Sequence, residues 1–284
     1  NVKSLDWMDA TTKAKALEKL ALLTFKIGYP TKWREYTFAI NPTSYLQNVM
    51  ASAVFESQRD LAKIGKPVDR DEWFMSPPTV NAYYNAQLNE MVFPAGILQP
   101  PFYTSKAGVA VNMGAMGMVV GHELTHGFDD EGSQFAGDGN LTVWWERDVR
   151  GKFEQKTQCV VDQYSAYEPL PGVPINGKLT VGENIADLGG VKLAFQAYRA
   201  LRADAKEQLV ASGFNEDKQF FLSVGQAWCS KQREAYTRRQ VTIDPHSHPR
   251  FRVNGSLADL PEFATTFQCA PGTPMNRQNQ CQVW

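Results

Sequence analysis

Val119-Val120-Gly121-His122-Glu123-Leu124-Thr125-His126 reads H-E-x-x-H inside an apolar run. On a helix, residues four apart share a face, so His122 and His126 can present two imidazole nitrogens to one zinc ion. Glu123 sits one residue round, within reach of a metal-bound water as its base but not itself a ligand. The chain has only 4 histidines, and two of them fall at metal-ligand spacing. Two core histidines that merely hydrogen-bond would leave that coincidence unexplained.

A catalytic zinc site needs three protein ligands and one open position. The metzincin pattern would put Gly at 129 and a third His at 132, but Asp129 and Gly132 stand there, which excludes that class. Two glutamates compete for the third place. Glu146 lies in Trp144-Trp145-Glu146-Arg147, with the cation Arg150 one helical turn on. Glu183 lies in Val181-Gly182-Glu183-Asn184-Ile185-Ala186-Asp187, so Asp187, one turn away, can orient a ligand imidazole while Glu183 binds metal. Asp129, three residues after His126, is a second orienter. Glu183 is the predicted ligand.

His122-Glu123-Leu124-Thr125-His126-Gly127-Phe128-Asp129-Asp130 together with Gly182-Glu183-Asn184-Ile185-Ala186-Asp187 resembles the neprilysin and endothelin-converting-enzyme family of zinc metallopeptidases. Asn81-Ala82-Tyr83-Tyr84, Val92-Phe93-Pro94-Ala95-Gly96-Ile97-Leu98-Gln99-Pro100-Pro101-Phe102 and Cys281-Gln282-Val283-Trp284 fit the same family in the same order. The similarity runs from about Leu5 to Trp284.

The resemblance implies an α+β, predominantly helical, thermolysin-like zincin with a small antiparallel sheet as the upper wall of its cleft. It implies one Zn2+ per chain and endopeptidase action on peptides, favouring the amino side of large hydrophobic residues. Asn81 and Ala82 would hold an extended substrate, His246 would donate to the oxyanion, and Arg252 would grip a substrate carbonyl. His248 stands where the family more often has Pro. Met118 and Val119 precede His122 by one turn and can line a pocket, which Phe102 and Trp228 join by resemblance. Resemblance also pairs Cys159 with Cys281, and Cys229 and Cys269 with cysteines further upstream. It places the chain as the C-terminal part of a longer protein, extracellular or periplasmic, with an upstream segment as partner and possible membrane anchor. A zinc exopeptidase, another metallohydrolase or a non-catalytic peptide-binding domain would use the same ligands, although a binding module has no need of a base at Glu123.

The remaining properties bound this reading. A net charge of -1 makes no electrostatic case for nucleic acid or a membrane surface, and no apolar run approaches the ~20 residues of a membrane span. The 4 cysteines show no C-x-x-C spacing, which favours disulfides in an oxidising compartment over a zinc ribbon. Residues 1–75 are expected as a helical lead-in packed on a core at 76–284, in one structural domain. Within the lead-in, the pattern predicts one helix capped by Asp9 and ended by Gly28 and Pro30. It predicts another over Thr43 to Ile64, with Leu46, Val49, Met50, Ala53, Leu61 and Ile64 as an apolar packing stripe. Thr79 to Tyr84 and Glu90 to Phe93 read as two strands. A helix from Ala110 carries the zinc motif, and Gly114, Gly117 and Gly121 on one face imply an element packed close against it. Further helices are expected around Cys159, from a Thr180 cap through Glu183 to about Ala205, and over Lys218 to Arg233.

Overall fold

The computed structural model describes residues 1–203 and 213–284. Its elements in chain order begin with helix α1 (Ala10–Ala21), strand β1 (Thr24–Gly28) and helix α2 (Tyr45–Leu61). Strands β2 (Tyr83–Asn85) and β3 (Glu90–Pro94) follow. The motif helix is built in three runs: α3 (Val109–Asn112), a π-helical turn (Met113–Gly117) and α4 (Met118–His126). After it come α5 (Arg147–Ser165), α6 (Val181–Leu201), α7 (Glu216–Ala227), α8 (Glu234–Ile243), α9 (Pro249–Ala258) and α10 (Pro261–Phe267). The predominantly helical α+β class is as the sequence predicts.

Helix α1 starts where expected, because the Asp9 carboxylate accepts the Thr12 amide at 2.7 Å. It stops seven residues early, and Thr24–Gly28 leaves as a strand. That strand pairs in parallel with β3, Thr24 opposite Glu90 and Gly28 opposite Pro94, while β2 pairs with β3 antiparallel. The sheet is therefore mixed, in the order β1-β3-β2, and not wholly antiparallel. Thr24 to Ile27 alternates around a charged residue, and Lys26 is spent on Glu90 at 2.9 Å. Parallel pairing needs a distant partner, which local periodicity does not display. All five residues of β3 are buried, whereas β2 forms a sheet edge.

The stripe on α2 does not pack as predicted. No residue of α2 is buried, and Leu46, Met50 and Leu61 are each more than 60% exposed. The Thr180 cap is also different. Its hydroxyl donates to the Asn176 carbonyl and accepts from the Asn184 side chain. Helix α6 ends at Leu201, and the expected terminus at Ala205 lies outside the described residues. The segment expected as one helix to Arg233 stops at Ala227 and resumes as α8.

Helix α6 runs between two apolar cores. Leu188, Val191 and Phe195 join Met118, Val119, Phe220 and Leu257 on one side. Val181 and Ile185 join Trp7, Trp145, Phe153, Phe251 and Trp284 on the other. The predicted glycine face explains how α4 reaches α6. A Cβ on Gly121 would lie 2.7 Å from the Gly190 carbonyl oxygen, and one on Gly190 would lie 2.7 Å from the His122 amide nitrogen. Gly114 is pressed in the same way onto the Phe220 backbone of α7. Gly117 meets only Met113 of its own helix.

Cys159 on α5 is bonded to Cys281, with Cα atoms 5.7 Å apart and a sequence separation of 122. Cys229 and Cys269 are free thiols. Closing so long a loop is worth up to ~5 kcal/mol by the chain-entropy argument. Non-reducing peptide mapping should recover a Cys159–Cys281 link and none between Cys229 and Cys269; a Cys229–Cys269 link in active protein would contradict the arrangement.

Candidate metal centre

Because α4 and α6 touch through backbone at Gly121 and Gly190, side chains of the two helices converge nearby. Nε2 of His122 and Nε2 of His126 lie 3.0 Å apart. Glu183 reaches them from α6, with Oε2 3.3 Å from His122 Nε2 and Oε1 3.5 Å from His126 Nε2. A tetrahedral zinc ion with bonds of 2.0–2.1 Å holds neighbouring donor atoms about 3.3–3.4 Å apart. The three donors already stand at that spacing, so His122, His126 and Glu183 fit the ion. Glu123 also comes within 4.8 Å of the two histidine donors, and it is buried beside them. Glu146 is elsewhere, at the start of α5 with its amide donating to Thr12.

The outer nitrogens of both imidazoles face carboxylates. Asp187 Oδ1 lies 2.9 Å from His122 Nδ1, and Asp129 Oδ2 lies 2.6 Å from His126 Nδ1. Such partners fix the ring orientation and leave Nε2 as the free donor. Asp129 is itself held, since its Oδ1 accepts the amides of Glu131 and Gly132 at 2.9 and 2.7 Å. Asp187 is fully buried and receives Nε and Nη2 of Arg252, both at 2.7 Å.

The charges are arranged to keep Glu183 and Asp187 ionised. Burial opposes that, but for Glu183 the His122 contact and the Arg252 charge win and hold its carboxyl well below the ordinary range. Asp187 is also lowered against burial, chiefly by Arg252 and His122. Glu123 goes the other way: burial raises its carboxyl above the ordinary value, with His122 and His126 opposing. A raised carboxyl is what a general base near neutrality requires.

His122, Glu123, His126, Asp129 and Glu183 line a cleft of about 450 Å³, and Asp187 lies buried behind it. Asn81, Ala82, Phe102, Val119, Trp228, His246 and Arg252 line it too. Met118 does not; it is fully buried in the core behind them, because the π-helical turn leads straight into it and its side chain faces α6 and α7. Asn81 and Ala82 precede β2 and do not belong to it. The guanidinium of Arg252 lies 3.9 Å over the Trp228 ring, and its Nη2 also reaches Glu183 at 3.2 Å.

The two downstream histidines are separated by their surroundings. His246 Nε2 stands 3.3 Å from Glu183 Oε1, while its Nδ1 and backbone amide engage Asp244 Oδ1. The next residue, Ser247, is buried and donates to Asn184 Oδ1 at 2.7 Å, which ties this loop to α6 beside Glu183. His248 instead caps α9, where its Nδ1 accepts the Arg250 amide. Tyr84 and Glu131 also line the cleft, although sequence reasoning assigned them no role. Only their closeness to quoted motifs could have drawn attention to them.

A family model described as Peptidase family M13 matches residues 81–283. Endothelin-converting enzyme 1 of Cavia porcellus is 43% identical across 100% of this chain and 39% of its own length. Neprilysin-3 of Drosophila melanogaster is 40% identical across 100% of this chain and 37% of its own. The crystal structure of the Mycobacterium tuberculosis zinc metalloprotease ZMP1 with an inhibitor superposes with a TM-score of 0.95. It is 42% identical, covering 100% of this chain and 44% of that one. The chain thus spans well under half the length of these relatives. With the family model matched over most of its length, the chain belongs to peptidase family M13.

Proposed function

We propose that the chain is the catalytic part of a zinc endopeptidase, with His122, His126 and Glu183 holding one zinc ion. The observation that carries this is the spacing of the two imidazole Nε2 atoms and the two Glu183 carboxylate oxygens, 3.0 to 3.5 Å, on two packed helices. When bound, the ion supplies Lewis-acid chemistry, polarising a substrate carbonyl and making a water molecule more acidic. The protein supplies the rest. Glu123, buried with a raised carboxyl, takes the proton from the attacking water and passes it to the departing amine. His246 donates from Nε2 to the developing oxyanion. Asp244 Oδ1, 2.8 Å from His246 Nδ1, orients the ring.

Substrate positioning follows the walls of the cleft. An extended peptide beside Asn81 and Ala82 would be held by backbone hydrogen bonds, independent of its side chains. Arg252 directs Nε and Nη2 at carboxylates, and Nη1 has no hydrogen bond among the described residues, which leaves it for a substrate carbonyl. Phe102, Val119 and Trp228 form an apolar side of the cleft and support a preference for a large apolar residue just after the cut. The bridged cysteines fit an extracellular or periplasmic setting. The exposed apolar face of α2 is where an upstream segment of a longer protein would pack. No described helix is long and apolar enough to cross a membrane.

Incubating the chain with a peptide mixture and mapping the products should show internal cuts on the amino side of Phe, Leu and similar residues. Terminal trimming alone would indicate an exopeptidase. Glu123→Gln and His246→Phe should each depress turnover by at least ~100-fold with zinc content unchanged. Loss of zinc from Glu123→Gln would make that residue a ligand.

Metal analysis after dialysis tests the ligand set directly. Glu183→Ala should lose zinc, and Glu146→Ala should keep it. Asp187→Ala should fall between them, weakening zinc by ~10–100-fold as expected for a residue that orients a ligand. The reverse ranking of the two glutamates would overturn the site.

A further inference from the structure

Lys19 on α1 is 2% exposed, an uncommon position for an ammonium group. It is not stranded there. Nζ donates to the carbonyl oxygens of Gly132 and Phe135, both at 2.7 Å, and sits 5.4 Å from the centre of the Phe128 ring. The two carbonyls belong to the turn that follows α4, and that turn carries Asp129. Burial draws the Lys19 pKa down to about 8, with the Asp129 charge opposing, so the group is mainly cationic at neutral pH.

The turn is tight. A Cβ on Gly132 would lie 1.8 Å from the His126 carbonyl oxygen, so the chain folds directly back on the end of the motif helix. Gly132 is held through both of its backbone polar groups: its amide donates to Asp129 Oδ1, and its carbonyl accepts from Lys19. Asp129 Oδ2 then meets His126 Nδ1 at 2.6 Å. A second strut runs from the same helix, since Asn89 Nδ2 donates both to the Lys19 carbonyl and to that of Gly137. The path from Nζ to the imidazole thus runs through three hydrogen bonds joined by the Gly132 backbone and the Asp129 carboxylate.

We propose that Lys19 is a positioning residue for the metal centre: by anchoring the turn at 132–135 it holds Asp129 where it orients His126. The inference rests on the zinc reading above. It places a determinant of metal affinity on α1, outside residues 81–283 that the family model matches. A lysine suits the position because one ammonium can satisfy two converging carbonyls, whereas a neutral aliphatic side chain would remove the donor to Phe135 and leave the Gly132 carbonyl with only the Phe135 amide.

The test is a double-mutant cycle on zinc affinity, measured by chelator competition with the wild-type chain, Lys19→Met, Asp129→Asn and the double variant. Lys19→Met should weaken zinc about 10-fold, the low end for residues that orient a ligand. Because both residues act through one contact, the double variant should bind no more weakly than Asp129→Asn alone. Losses that multiply, or a Lys19→Met affinity equal to wild type, would overturn the inference. Lys19→Gln, which is shorter and uncharged but still carries an amide donor group, answers the same question if Lys19→Met does not fold: it should weaken zinc several-fold, without adding to Asp129→Asn. Unchanged affinity in it would be equally fatal. A wild-type chain that holds no zinc would overturn the metal reading and this inference together.

Discussion

The metal centre depends on a contact of backbone on backbone, where Gly121 of α4 meets Gly190 of α6. A single methyl group at either position would occupy space already filled, so the helices can cross at this distance only with bare Cα atoms there. The donor geometry depends on it. His122 and His126 precede Glu183 by 61 and 57 positions in the chain, and nothing in their own backbone would bring them within 3.5 Å. The crossing does so, with both helices buried on most of their circumference and no freedom to slide. Dense packing of this kind has few alternative arrangements.

Around that crossing the charges form a closed group. Glu183, Asp187 and Asp129 face two imidazoles, with Arg252 between Glu183 and Asp187. Buried charges are tolerated when each is paired and hydrogen-bonded. Here each carboxylate has two or more such partners. A dication added among the donors would enter a neighbourhood already supplied with negative charge. Glu123 differs from these carboxylates in having burial without a hydrogen-bonded cation, and its carboxyl is pushed up where theirs are held down.

The chemistry was far more legible in the sequence than the architecture was. The imidazole pair and Glu183 with Asp187 announce themselves by helical spacing, since positions four apart must share a face. Gly114 and Gly121 could be recognised as contact points because glycine is costly in a helix unless something lies against it. What stayed hidden depends on distant partners. Thr24–Gly28 becomes a strand only because Glu90–Pro94 is available beside it. The α2 stripe has helical periodicity but no neighbour to pack on, and a periodic pattern carries no information about whether a partner is present. Lys19 looked like any lysine of an amphipathic helix, because its carbonyl partners lie more than a hundred residues away.

The placement of the indoles has an optical consequence. Trp7, Trp144, Trp145 and Trp284 gather in one aromatic cluster beneath α5, with neighbouring ring centres 4.5 to 6.3 Å apart. Of the 7 tryptophans, Trp228 is the one that lines the cleft, and its ring is covered by the Arg252 guanidinium. Trp33, 59% exposed, and Trp73 belong to neither place, and the emission of the other five is divided by location. Coupled indoles in the cluster report whether α1, α5 and the Cys281 segment are assembled, while Trp228 reports what lies against Arg252. Replacing Trp228 with Phe would separate the two signals, leaving a fluorophore set sensitive to folding and blind to the cleft.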